Sequence, residues 1–232
     1  MNSLVRCLRE NAWIIYLAFY VIVFFVWRIC FAQNNETIIE IYTNMYYEKR
    51  AMGIYILGYL LFLGPLCNKI INYHYAIRIG TKENQLAKLG KIMFIRSVMY
   101  SFMLNIVFYL MVGSATKDYL IKENIIRVML QFLSQTVGWL FIGYLYLFIY
   151  LCVRQKIVAV SITYLILIAL CLSNYVNYYA KLQYYLRLYY MMFHIEQYPS
   201  WSFFFGVLLF YMTLGLMFYV ISYRRINKYE YY

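Results

Sequence analysis

The sequence predicts an all-α, polytopic membrane protein with six transmembrane helices, and three observations carry that expectation. Hydrophobic residues make up 65% of the 232 residues and charged ones only 13%, where a soluble domain carries about 25% charged residues. The apolar residues fall in six continuous runs, near 13–31, 51–71, 92–112, 128–151, 157–176 and 201–221. Each run is close to the ~20 residues that a helix needs to cross the hydrocarbon core. Basic residues collect between the runs, where they set orientation. The runs form one transmembrane domain over 1–232. They are continuous rather than alternating and longer than barrel strands, which argues against a β-barrel.

Before the first run lies MNSLVRCLREN. On a helix Leu4, Val5 and Leu8 share a side, while Arg6, Arg9 and Glu10 reach water, so an N-terminal interfacial helix is expected over about 3–12. The first span begins at Trp13 and ends in WRICFAQNN; its length favours a retained helix over a cleaved signal peptide. An outer loop of 18 residues, about 33–50, leads to the second span.

The cytoplasmic segment 72–91 reads NYHYAIRIGTKENQLAKLGK. Gly80 breaks the incoming helix and Thr81 is a suitable N-cap. Leu86 and Leu89 follow at i,i+3 spacing, with Lys82, Glu83 and Lys88 available to water. Gly90 then reorients the chain before the third span. A short helix lying across the inner membrane surface is expected here, with a plain basic loop as the alternative.

Spans four and five are joined by a short inner turn at Arg154–Lys156. The outer segment 176–200 is too polar, at Lys181, Gln183 and Arg187, to be comfortable as a span. Its stripe through Tyr178, Leu182, Tyr185, Tyr189 and Met192 predicts a helix that lies in the outer interface or dips into it. A seventh membrane segment is the competing reading. Pro199 suits a first helical turn and Trp201 anchors the last span.

Orientation follows from the 21 Lys and Arg. With the N-terminus inside, thirteen of them face the cytoplasm: Arg6, Arg9, Lys69, Arg78, Lys82, Lys88, Lys91, Arg96, Arg154, Lys156, Arg224, Arg225 and Lys228. The outer side holds six of the nine acids, Glu36, Glu40, Glu48, Asp118, Glu123 and Glu196. Both termini are therefore expected in the cytoplasm. The net charge of +12 is accounted for by topology, so a nucleic-acid role is not expected.

Chemistry is thinly provisioned. His74 and His194 fall on opposite faces of the membrane, and no HExxH, Cys cluster, GxSxG or phosphate-binding glycine motif appears. His194 with Glu196 reads as a wet outer-surface pair. The span centres carry essentially no charge, which disfavours a proton- or ion-coupled carrier. Asn105, Ser134, Gln135 and Thr136 are expected to tie helices together, and the pairs Gly53/Gly58 and Gly138/Gly143 to favour close helix approach. Many of the 30 Tyr suit headgroup anchoring. Five cysteines without a CxxC read as small hydrophobes, with one outer pair, Cys30 and Cys171, open to a disulfide.

The stretch RIGTKENQLAKLGKIMFIRS, with this layout, resembles the type-2 (ABC-2) family of ABC transporter permeases. The stretch looks like the basic segment and following helix of the peptide or bacteriocin exporter and immunity permeases of Gram-positive bacteria. That resemblance implies a subunit of the bacterial cytoplasmic membrane without catalytic residues or cofactors of its own. Cytoplasmic ABC ATPase subunits would bind ATP and Mg and drive two permeases, identical or homologous, embedded in membrane lipids. Thr81, Lys82, Leu86, Lys88 and Leu89 would then form the cytoplasmic coupling helix against the ATPase, and Arg154 and Lys156 the second inner contact. The material at 176–200 would match the family's outer helices between spans five and six. Export of an amphipathic peptide or lipid-like cargo is the function so implied. A standalone membrane immunity or sensor protein that binds a toxic peptide is the alternative.

Overall fold

The computed structural model describes residues 51–63, 82–115, 122–176, 188–194 and 200–227. The interfacial N-terminal helix, the first span, Thr81, Pro199, Glu196 and most of 176–200 lie outside the described residues. Every described element is helical. Helix α1 covers 51–63 and opens as a π-helix at Ala51–Ile56. It is followed by α2 (Lys82–Ala115), α3 (Lys122–Val153), α4 (Lys156–Val176), α5 (Leu188–Phe193) and α6 (Trp201–Asn227).

Two stretches, Val128–Val153 and Trp201–Arg225, are long and apolar enough to cross a membrane. Large apolar side chains also stand exposed on the outside of the bundle, among them Phe94 and Phe102 on α2, Leu165 on α4, and Leu209 and Val220 on α6. Apolar surface repeated along several helices supports membrane association.

Helix α3 sits in the middle. From Ser134 to Leu147 nearly every side chain is buried, and α2, α4, α5 and α6 all pack on it. The directions follow from paired contacts. Asn105 of α2 meets Gln135, whereas Met93 of the same helix lies beside Gly143, so α2 runs antiparallel to α3. Phe141 stacks on Tyr211 and Phe148 on Phe218, so α6 runs parallel to it. The start of α2, the turn after α3 and the end of α6 therefore converge on one end of the bundle.

One expectation is corrected here. Residues 82–90 do not form a helix separate from the third span, because α2 is continuous from Lys82 to Ala115 and Gly90 lies inside it. Glycine in a helix interior costs about 1 kcal/mol relative to alanine, but this one makes room for α6. A Cβ on Gly90 would fall 2.8 Å from Cε2 of Tyr219, whose hydroxyl donates to the carbonyl of Leu86 at 3.3 Å. Packing, rather than chain reversal, explains the glycine. Gly53, by contrast, faces open space instead of a neighbouring helix.

The turn between α3 and α4 is only two residues long. Arg154 has φ 61° and donates its N–H to the Tyr150 carbonyl at 2.8 Å, while the Gln155 carbonyl accepts from Ala159 N–H at 2.9 Å. This is a left-handed helix cap of the kind usually made by glycine. A Cβ in that conformation costs about 1 kcal/mol. Arg154→Gly is therefore expected to raise the melting temperature of the purified protein in detergent. Arg154→Val, which adds a β-branch, should lower it. Equal melting of all three proteins would contradict a strained cap.

Candidate functional site

The most densely organised region lies where α1, α2, α3 and α5 meet around Trp139. Its indole is fully buried, 5.0 Å from the Tyr59 ring, 4.8 Å from Tyr100 and 6.1 Å from Phe193, centroid to centroid. Hydroxyls tie these rings to the backbone. Tyr100 donates to the Tyr55 carbonyl at 2.9 Å, within the π-helical turn. Ser97 donates to the Met93 carbonyl, which leaves Tyr59 to donate to Ser97 Oγ at 2.8 Å. Many of the tyrosines are expected as headgroup anchors, but Tyr55, Tyr59, Tyr146, Tyr189 and Tyr211 are interior residues.

Beside the rings runs a polar seam. Asn105 Nδ2 donates to the Ser101 carbonyl at 2.7 Å and to Gln135 Oε1 at 2.9 Å. Asn105 and Gln135 thus join α2 to α3 as the sequence led one to expect. Ser134 and Thr136 do not; their hydroxyls donate to Gln131 and Phe132 carbonyls of their own helix. Three buried groups of the seam, Ser101 Oγ, Gln135 Nε2 and Trp139 Nε1, have no hydrogen-bond partner among the described residues. Unsatisfied buried polar groups are rare in native proteins and cost about 1–3 kcal/mol each.

Helix α5 closes the region from the end opposite the basic one. It does not lie on the surface with exposed aromatics: Leu188, Tyr189, Met191, Met192 and Phe193 are all buried. The Met192 carbonyl accepts from Gln131 Nε2, and the Met192 side chain lies where a Cβ on Gly138 would be, at 2.3 Å from its Cγ. His194 is likewise not a wet residue. It is 6% exposed, with Nε2 2.8 Å from the Tyr189 hydroxyl. Gly138 had been read as a point of close helix approach, and it is one. The roles of Gln131, Trp139 and Phe193 were not foreseen, because an amide or an indole inside an apolar run does not announce its partner.

At the basic end, the residues proposed for coupling separate into two groups. Leu86 and Leu89 are each 1% exposed and belong to the chain's own core. Asn84, Ala87, Lys88 and Lys91 form the exposed face of the same helical turns. The apolar face expected to dock on a partner is thus turned inward, and the wet face carries the basic groups. Lys82 opens α2, Arg154 is exposed and Lys156 half-buried in the two-residue turn, and Arg224 and Arg225 are exposed at the end of α6. Arg96 lies farther along α2, its Nη1 donating to the Phe62 carbonyl at 2.7 Å and its guanidinium 4.0 Å above the Phe62 ring.

Among the described residues no cluster of His, Cys, Asp or Glu has the makings of a metal site. No protein-family model matches the chain, and neither a curated protein nor a solved structure matches it.

The seam can be tested directly. Asn105→Leu leaves the Gln135 carboxamide oxygen without its donor and is expected to cost about 1–2 kcal/mol of stability. Adding Gln135→Leu removes the stranded amide and should return part of that loss. A double-mutant cycle by thermal melting in detergent checks this; strictly additive losses would mean that the two amides do not act as a pair.

Proposed function

We propose that this chain is the transmembrane permease subunit of an ATP-driven ABC exporter of the bacterial cytoplasmic membrane. In this reading it spans the membrane six times with both termini inside, and works with a second identical or homologous permease. The observation that carries the proposal is the convergence of Lys88, Lys91, Arg154, Lys156, Arg224 and Arg225 on one end of the bundle. Three segments distant in sequence, all assigned to the cytoplasm by charge, meet there. The two that resemble the family's ATPase contacts, 82–91 and 154–156, are among them.

The continuity of α2 supplies a mechanism. A helix without a hinge carries displacement along its axis, about 35 Å from Lys82 to Asn105 at ~1.5 Å per residue. ATPase subunits that bind ATP and close would press on the exposed face at Asn84, Ala87 and Lys88. The motion would pass along α2 to the Asn105–Gln135 contact, and to α6 through Tyr219. The energy comes from nucleotide hydrolysis on the partner, so the chain needs no catalytic residue of its own. An amphipathic peptide or a lipid-like molecule is the cargo class.

Leu86→Asp with Leu89→Asp would bury two carboxylates in the chain's own core, and so would damage the bundle before it tested coupling. The informative variant is Lys88→Glu with Lys91→Glu, on the wet face. It should insert and melt normally, while ATPase pull-down from membranes and permease-stimulated nucleotide turnover fall together, by about tenfold for ~1.4 kcal/mol of lost contact. Unchanged pull-down and turnover would remove the coupling role and favour the standalone immunity or sensor reading.

A further inference from the structure

We infer that the face of α3 formed by Gln131, Gly138 and Trp139 is a peptide-binding groove, and that α5 occupies it as a built-in pseudo-ligand. The inference rests on the reading of the bundle as an export pathway, and narrows its cargo class to apolar, aromatic-bearing peptides.

Each contact of α5 is one that a bound peptide would make. A backbone carbonyl, that of Met192, accepts from a side-chain amide, Gln131 Nε2. An unbranched side chain, Met192, fills a notch that exists because residue 138 has no Cβ. An aromatic ring, Phe193, packs 6.1 Å from Trp139 and 6.2 Å from Tyr55.

Next to the residues of α3 that α5 touches, buried polar groups are left without partners among the described residues. Gln135 Nε2 and Trp139 Nε1 are donors one helical turn apart on α3, both buried and unpartnered among the described residues. Ser101 Oγ is unpartnered as well, on the helix that Asn105 ties to Gln135. A surface evolved only to hold its own chain gains nothing from such donors, which cost stability while unpaired. A peptide brings a carbonyl at every residue, enough to engage what α5 leaves open. Apolar side chains such as Met, Phe and Tyr complete the match, because these are what the groove already accommodates.

The test uses the purified full-length chain in detergent, without ATPase, and a fluorescent acetylated heptapeptide that copies residues 188–194. Met192→Asp with Phe193→Asp should expel α5 while leaving the groove unaltered, and the heptapeptide should bind this variant at least about tenfold more tightly than wild type. Met192→Ala with Phe193→Ala, which buries no charge, is the second releasing variant and should show the same order. Gly138→Val, added to either, fills the notch and should abolish binding; Gln131→Ala should weaken it by about tenfold, as for one buried hydrogen bond. The same heptapeptide with its Met192 and Phe193 equivalents as Asp should not bind. Absent binding to both released variants, or binding indifferent to Gly138→Val, would overturn the groove. Displacement of a bound lipid probe by single-chain lipid, but not by the heptapeptide, would assign the groove to lipid-like cargo and overturn the peptide. Because no ATPase is present, these outcomes are separate from the pull-down that decides the permease reading.

Discussion

The arrangement depends on a helix, α3, that is buried on nearly every side from Ser134 to Leu147. An amphipathic helix can be placed by hiding its apolar stripe from water, but a bundle with an apolar outer face gains little from that force. Helix α3 is held instead by fit and by hydrogen bonds. Glycines let neighbours come close, at Gly138 for Met192 and at Gly143 for the Tyr59 hydroxyl, 3.2 Å from where a Cβ would stand. Amides supply direction, Gln135 toward α2 and Gln131 toward α5. All the other elements are positioned relative to that helix.

The abundance of tyrosine makes sense in the same terms. A phenol fills space as a phenylalanine does, and adds one hydroxyl that can reach the backbone of the next helix. Tyr100 ties α2 to α1 in this way, and Tyr219 ties α6 to α2. The Tyr219 contact coincides with Gly90, so the packing of α6 and the straightness of α2 share one cause. A basic segment that charge alone presents as a surface connector is thereby made the first turns of a long helix.

The two ends of the bundle have different physical characters. The basic end presents cations on exposed turns, held by the left-handed cap at Arg154 and the close packing of α2 on α6. Toward the other end, α5 is inserted beside Trp139 and its neighbours. Sequence polarity in the flanks of α5, at Lys181, Gln183 and Arg187, keeps that segment from reading as a span. Burial of five residues of α5 shows that this part of it packs against the bundle. It lies in the interior because α3 offers a notch at Gly138 and an amide donor, Gln131 Nε2, at the right height.

What the sequence determined by itself was helical class, the approximate extents of α3, α4 and α6, and which basic segments share a side. These are properties of composition and run length, which depend on the solvent around each residue and little on its neighbours. The pairing of Asn105 with Gln135 was half legible, since two amides in apolar runs need partners but do not name them. Tertiary structure alone decided that Leu86 and Leu89 turn inward, that Gly90 is a contact rather than a break, and that Met192 seats against Gly138 beside Trp139. Those outcomes depend on which surfaces meet at a separation of 133 residues for Tyr219 and Leu86, or 61 for Gln131 and Met192. Local periodicity carries no information about such distant pairs; close packing against a shared central helix selects them.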